Sequence, residues 1–153
     1  MWHRAEFFPS GTDLSLQKPD ALLLSYPVIT SGDYARQGSF DRLAGQDVEK
    51  RASFSLEKFV TNKTPPTFLW HTIADKTVPV QNSMLFFEEL LRFGVTAELH
   101  LFPFGVHGLS LATTEVSQPE KDRLPDAHVA QWMPLAVQWL ETVMPPAQPQ
   151  SSD

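Results

Sequence analysis

Thr67-Phe68-Leu69-Trp70-His71-Thr72-Ile73-Ala74-Asp75-Lys76-Thr77-Val78-Pro79 is the stretch on which the fold turns. Its first six residues follow the breaker Thr64-Pro65-Pro66 and are rich in aromatic and β-branched side chains, so they read as a strand. The strand runs directly into a loop that carries Asp75. Open α/β sheets keep their sites at the carboxyl ends of strands, which makes the position of this acid informative. The competing reading is mechanical, since Asp also favours turns and can cap a local helix through its carboxylate.

Working towards the C-terminus, residues 81–93 place Met84, Leu85, Phe87, Leu90 and Leu91 at helical spacing, with Gly94 as a C′ stop. Residues 97–102 alternate apolar with polar before Pro103 and predict a further strand, partly exposed on one face. Phe102-Pro103-Phe104-Gly105-Val106-His107-Gly108-Leu109 then sets a histidine between two glycines, again just past a strand. An imidazole titrates near neutrality, so His107 is a candidate general base. The alternative is a loop histidine with no catalytic task. Asp126 is suited to cap a last helix over 127–143, with Val129, Trp132, Met133, Ala136, Val137 and Leu140 on one side; Pro134 falls inside it and predicts a kink.

Towards the N-terminus, residues 21–26 form an apolar run between Pro19 and Pro27, as a buried strand of a parallel sheet does. The connection at 30–63 offers a short helix before Gly45 and another over 53–60, capped by Ser53 or Ser55, and is a candidate lid or insertion over a site. Strand, crossover, strand, helix, strand, helix is the order of an α/β three-layer arrangement, with about three parallel strands and flanking helices. Three strands are few for a sheet covered on both faces, and the apolar first strand implies another beside it. The pattern reads as half a sheet. It occupies residues 1–143, followed by a flexible Pro/Gln/Ser tail at 144–153.

Composition narrows the classes. The 153 residues are 42% hydrophobic and carry a net charge of −6, which suits one globular domain and lacks the basic face that nucleic acid requires. No apolar run approaches the ~20 residues of a membrane span. With no cysteine there is neither disulfide nor thiol nucleophile, and the redox compartment is left open. Met1 to Glu6 lacks a secretory pattern, so the compartment is unknown with a cytoplasmic location favoured. His71, His100 and His128 are read as forming no i, i+4 pair with a carboxylate and no H-E-x-x-H pattern, so no metal and no cofactor are expected. His71 is read as a structural strand residue, and Trp70, Trp132 and Trp139 as core.

Asp75-Lys76-Thr77-Val78-Pro79, then Asn82-Ser83, resembles the D-x-x-V-P turn and following helix of the α/β-hydrolase family in its esterase branch. Phe102 to Gly108 is similar to the F-x-x-G-x-H-G histidine loop of that branch, and Leu24-Ser25-Tyr26-Pro27-Val28-Ile29 to an earlier strand. The resemblance covers about residues 19–140 and is strongest to acetyl-xylan-esterase-like proteins, with likeness also to dienelactone hydrolase and prolyl oligopeptidase catalytic domains. It implies the C-terminal half of a hydrolase sheet, with Asp75 orienting His107 and His107 taking a proton from a serine. That serine should sit in G-x-S-x-G, and Ser10, Ser31, Ser39 and Ser110 all fail the test. By the family pattern Met1-Trp2-His3 aligns with the helix after the nucleophile, which places the serine upstream.

The resemblance therefore implies the C-terminal fragment of a serine carboxylic-ester hydrolase, acetylesterase-like and acting on a small-molecule ester such as a carbohydrate ester, inactive alone. The competing expectation is a non-catalytic interaction module, either partnered by a separately encoded N-terminal half or self-associating through the open sheet edge.

Overall fold

The computed structural model describes residues 8–145. The Met1-Trp2-His3 alignment and nearly all of the expected flexible tail thus lie outside the described residues. Three strands, β1 (Leu22–Ser25), β2 (Thr67–Thr72) and β3 (Ala97–Phe102), form a parallel sheet in the order β1-β2-β3. All six residues of β2 are buried, because this strand is paired on both edges and covered on both faces. Thr67 and Thr72 stand opposite Ala97 and Phe102, so β2 and β3 end level and their following loops emerge side by side.

Alternation along β2 sends successive side chains to opposite faces. Phe68 and Trp70 join Phe102, Leu109, Val129, Trp132, Ala136 and Trp139 beneath helix α4 (Trp132–Val143), which near-parallel stacking of Trp70 on Trp132 at 5.2 Å holds to the sheet. Both buried indoles are satisfied, Trp70 Nε1 donating to Ser25 Oγ and Trp132 Nε1 to the Ser110 carbonyl, each at 2.8 Å. Leu69 faces the other way, towards Ile29, Val60, Phe86, Leu90 and Val95. Helix α3 (Gln81–Arg92) covers this second face. The tryptophans are core, as their periodicity predicts.

The connection from β1 to β2 holds α1 (Gln37–Ala44), α2 (Val48–Ala52) and a 3₁₀ turn at Leu56–Phe59. In place of the helix expected over 53–60 there is only the 3₁₀ turn, since α2 already ends at Ala52. Asp47, not a serine, caps α2 by accepting from Lys50 N at 2.9 Å, and Ser55 instead accepts from Ser31 N at 2.9 Å. Nor does Pro134 fall in a helix interior as expected. The α-helix begins only at Trp132, after a 3₁₀ turn over Val129–Gln131, so Pro134 lies in the first turn, where its missing N–H has no intrahelical acceptor to lose. Asp126 does cap, accepting from the N–H groups of His128 and Val129 at 2.9 and 3.1 Å. No helix among the described residues is long and apolar enough to cross a membrane.

Candidate active site

Asp75 and His107 meet at the carboxyl edge of the sheet because the loops after β2 and β3 leave it together. The two loops are stitched to one another: Ile73 N donates to Phe102 O at 2.7 Å, and Thr72 Oγ1 donates to Gly105 O at 3.0 Å. Asp75 then turns its loop back on itself. Its Oδ1 accepts from Thr77 N at 2.8 Å and Val78 N at 2.9 Å, so the turn-making role and the pairing role belong to one carboxylate. The other oxygen, Oδ2, accepts from His107 Nδ1 at 2.7 Å.

Burial alone would raise the Asp75 carboxyl. Against that, hydrogen bonding from His71, the Val78 amide, His107 and the Thr77 amide favours the ionised form, and together these hold it at about 2. An ionised carboxylate can only accept, so the proton between the pair sits on His107 Nδ1, leaving the Nε2 lone pair free to act as a base. The Asp75 side chain is 0% exposed and that of His107 25% exposed: the acid is sealed and the base reaches the surface. Nε2 makes no hydrogen bond among the described residues.

The imidazole is wedged from several sides. Tyr26, at φ 39°, presents its ring edgewise at 4.8 Å from the His107 ring centroid and packs at 4.9 Å against Trp70. Arg123 Nε donates to the His107 carbonyl at 3.0 Å. Neither residue was marked by its sequence pattern, since both arrive from distant parts of the chain. His71 also has more to it than a strand position. Its Nε2 lies 3.0 Å from Val78 O and 3.4 Å from Asp75 Oδ2, its Nδ1 is hydrogen-bonded to Ser83 Oγ at 2.7 Å, and the side chain is fully buried. The expectation that this histidine has no carboxylate partner is corrected. The four-residue spacing from His71 to Asp75 was the available signal, and a strand followed by a tight turn closes it as a helix would.

Asn82 locks the second face to the site. Oδ1 accepts from Ile29 N and Thr30 N at 2.9 and 3.0 Å, while Nδ2 donates to Tyr34 O and Pro79 O at 2.9 and 3.0 Å. Every hydrogen-bonding position of this fully buried amide is used in tying the β1 exit to the start of α3.

A cleft of about 500 Å³ opens beside His107, lined by Lys76, Thr77, Phe104, Leu109 and Leu124 among others. A larger apolar cavity of about 580 Å³ lies elsewhere, beside β1, and includes Leu22, Leu24, Ile29, Leu56, Val60 and Phe86. The smaller one is lined by His107, behind which Asp75 is sealed. The 30–63 connection lines the larger cavity through Leu56, Phe59 and Val60, and none of its residues lines the cleft beside His107. Among the described residues no three His, Asp or Glu side chains converge as metal ligands do.

A buried carboxylate holding an imidazole by Nδ1, with Nε2 directed outward, is equipped to accept a proton from a hydroxyl and stabilise the imidazolium that forms. Comparison with known proteins agrees with this architecture. The chain is 43% identical over 109 residues to endo-1,4-β-xylanase B of Butyrivibrio fibrisolvens, covering 70% of this chain and 17% of that protein. Among solved structures it is similar to an acetyl ester-xyloside bifunctional hydrolase from Caldicellulosiruptor lactoaceticus (TM-score 0.71, 41% identity), covering 82% of this chain and 43% of that one. It is likewise similar to a carboxylesterase from Lactobacillus plantarum (TM-score 0.71, 32% identity), covering 82% and 45%. The chain thus spans about a sixth of the curated relative's length and under half of these two solved ones. The profile of the prolyl oligopeptidase family matches residues 19–133, and the chain belongs to that family of α/β-hydrolases.

Proposed function

We propose that residues 1–143 are the C-terminal portion of a serine carboxylic-ester hydrolase, in which Asp75 orients His107 and His107 is the general base. The observation that carries this is the 2.7 Å contact between Asp75 Oδ2 and His107 Nδ1, with the acid sealed and the base facing a cleft. His107 Nε2 would take the proton of a serine hydroxyl as it attacks the ester carbonyl, and return it to the leaving alcohol. No serine of the sequence lies in G-x-S-x-G, so the nucleophile is assigned to a segment outside these 153 residues. An acetyl ester on a carbohydrate is the favoured substrate, by likeness to the acetyl ester-xyloside hydrolase.

The test is hydrolysis of 4-nitrophenyl acetate and of an acetylated xylo-oligosaccharide. It compares the chain alone with the chain joined to the upstream half of the Caldicellulosiruptor hydrolase. Negligible turnover alone, and turnover in the joined protein that His107→Ala or Asp75→Asn removes, is the expected result. Equal turnover with His107→Ala, or a cooperatively folded fusion without activity, would overturn the reading.

A second reading has its own observation: the edge of β1, unpaired among the described residues, and the apolar cavity beside it suit a covering polypeptide. Under it the chain is an interaction module that pairs with a separately encoded N-terminal half or with a second copy. Stable association that leaves the fused protein without esterase activity would favour it.

A further inference from the structure

His71 is the one fully buried imidazole of the described residues, and an apolar side chain would fill its place on β2 at lower desolvation cost. Leu69, two residues earlier on the same face, does just that. The histidine is nonetheless paired at both nitrogens. The Val78 carbonyl can only accept, so Nε2 carries a proton and donates to it, and the same nitrogen lies 3.4 Å from Asp75 Oδ2, the oxygen that His107 Nδ1 meets at 2.7 Å. Ser83, from the first turn of α3, fixes the ring at Nδ1.

Two amide bonds hold Asp75 Oδ1, but each tolerates a range of angles, so they restrain the broad terminal torsion that places Oδ2 without fixing it. We propose that His71, braced by Ser83 and Val78, is a positioning residue that fixes the Asp75 carboxylate so that Oδ2 faces His107 Nδ1. The proposal rests on the reading of Asp75 and His107 as an acid–base pair. The low pKa of Asp75, to which His71 contributes, agrees with it. A merely structural His71 would hold Val78 and Ser83 together and leave the His107 pairing unchanged when replaced.

The experiment is NMR of the His107 imidazole in the 153-residue chain, following the deshielded Nδ1–H resonance and its exchange with solvent. Assignment comes from its loss in His107→Ala. His71→Leu should speed that exchange by about tenfold or more, the factor that loss of one hydrogen bond to a charged group implies. His71→Gln, whose Nε2 can reach the position of the imidazole Nε2, should restore it to within about threefold. Ser83→Ala, which frees the ring from its brace, should give an intermediate rise, and it decides the matter if His71→Leu does not fold. Unchanged exchange in folded His71→Leu, or in Ser83→Ala where His71→Leu does not fold, overturns the proposal. Asp75→Asn separates the two levels: if it too leaves the resonance unchanged, the acid–base pair itself falls. If it abolishes the resonance while His71→Leu does not, only the positioning role falls.

Discussion

Gly105 is packed against Thr72 so closely that a Cβ on it would stand 2.8 Å from Thr72 Cγ2, while Thr72 Oγ1 donates to the Gly105 carbonyl at 3.0 Å. The histidine loop is thereby docked on the end of the strand that carries the acid. Gly105 also has φ 128°, a conformation that L side chains rarely adopt. Gly105→Ala is therefore expected to cost about 2 kcal/mol in folding stability and to lift His107 from Asp75. Chemical denaturation reads the first effect, and the His107 Nδ1–H resonance the second. A variant as stable as the parent would show that the loop is not held by this contact.

Asp75 makes the chain acid-sensitive in a definite window. Its carboxyl lies at about 2 in the folded protein against 3.8 for the free side chain, so between these values the unfolded chain binds the extra proton. Stability contributed by this group is present above about pH 4 and is lost as the pH falls towards 2. After allowance for solvent screening the loss is on the order of 1–2 kcal/mol. Unfolding free energies measured from pH 6 to pH 2 should fall more steeply for the parent than for Asp75→Asn, which has no such proton to gain. Parallel slopes would mean that the carboxylate is not the stabilised ion described here.

Asn82→Leu removes four hydrogen bonds and leaves the buried Ile29 and Thr30 amides without their acceptor. The expected cost is about 3 kcal/mol, because each unsatisfied buried donor carries a penalty of roughly 1–3 kcal/mol. Hydrogen exchange should accelerate first at Thr30 and then through the 3₁₀ turn at Leu56–Phe59, which bonds to Ile29 O through Leu56 N. Loss confined to α3 would instead place the anchor within the helix.

Strands β2 and β3 are legible in the sequence to the residue, since prolines and polar turns bracket both and their side chains alternate or bury as strands require. That Asp75 and His107 come together was legible for a related reason: each lies a few residues past the end of one of these two neighbouring strands. What periodicity does not contain is side-chain pairing across the fold. Tyr26 reaches His107 across 81 positions, and Arg123 reaches it from a turn whose local pattern is featureless. Ser55 looks like a helix cap locally, yet its hydroxyl is taken by Ser31, a competition only tertiary structure decides. Pro134 reads as a kink when the helix is assumed to start at 127, and becomes an ordinary first-turn proline once the start moves to Trp132.

The edge of β1, which no strand pairs among the described residues, supplies a last expectation. Leu22 N donates to Pro66 O and Tyr26 N to Trp70 O, so by alternation Leu24 also donates towards β2, while the amides of Leu23 and Ser25 point to the open side. In the chain alone Leu23 and Ser25 should exchange their amide protons rapidly although Leu22 and Leu24, one residue away, are protected. Joining the upstream half of a relative should slow Leu23 and Ser25 selectively, because a strand laid parallel to β1 takes up those two donors. If they are already slow in the isolated chain and become fast on dilution, a second copy is covering the edge, and the surface proposed to receive an upstream strand is then also a route to self-association.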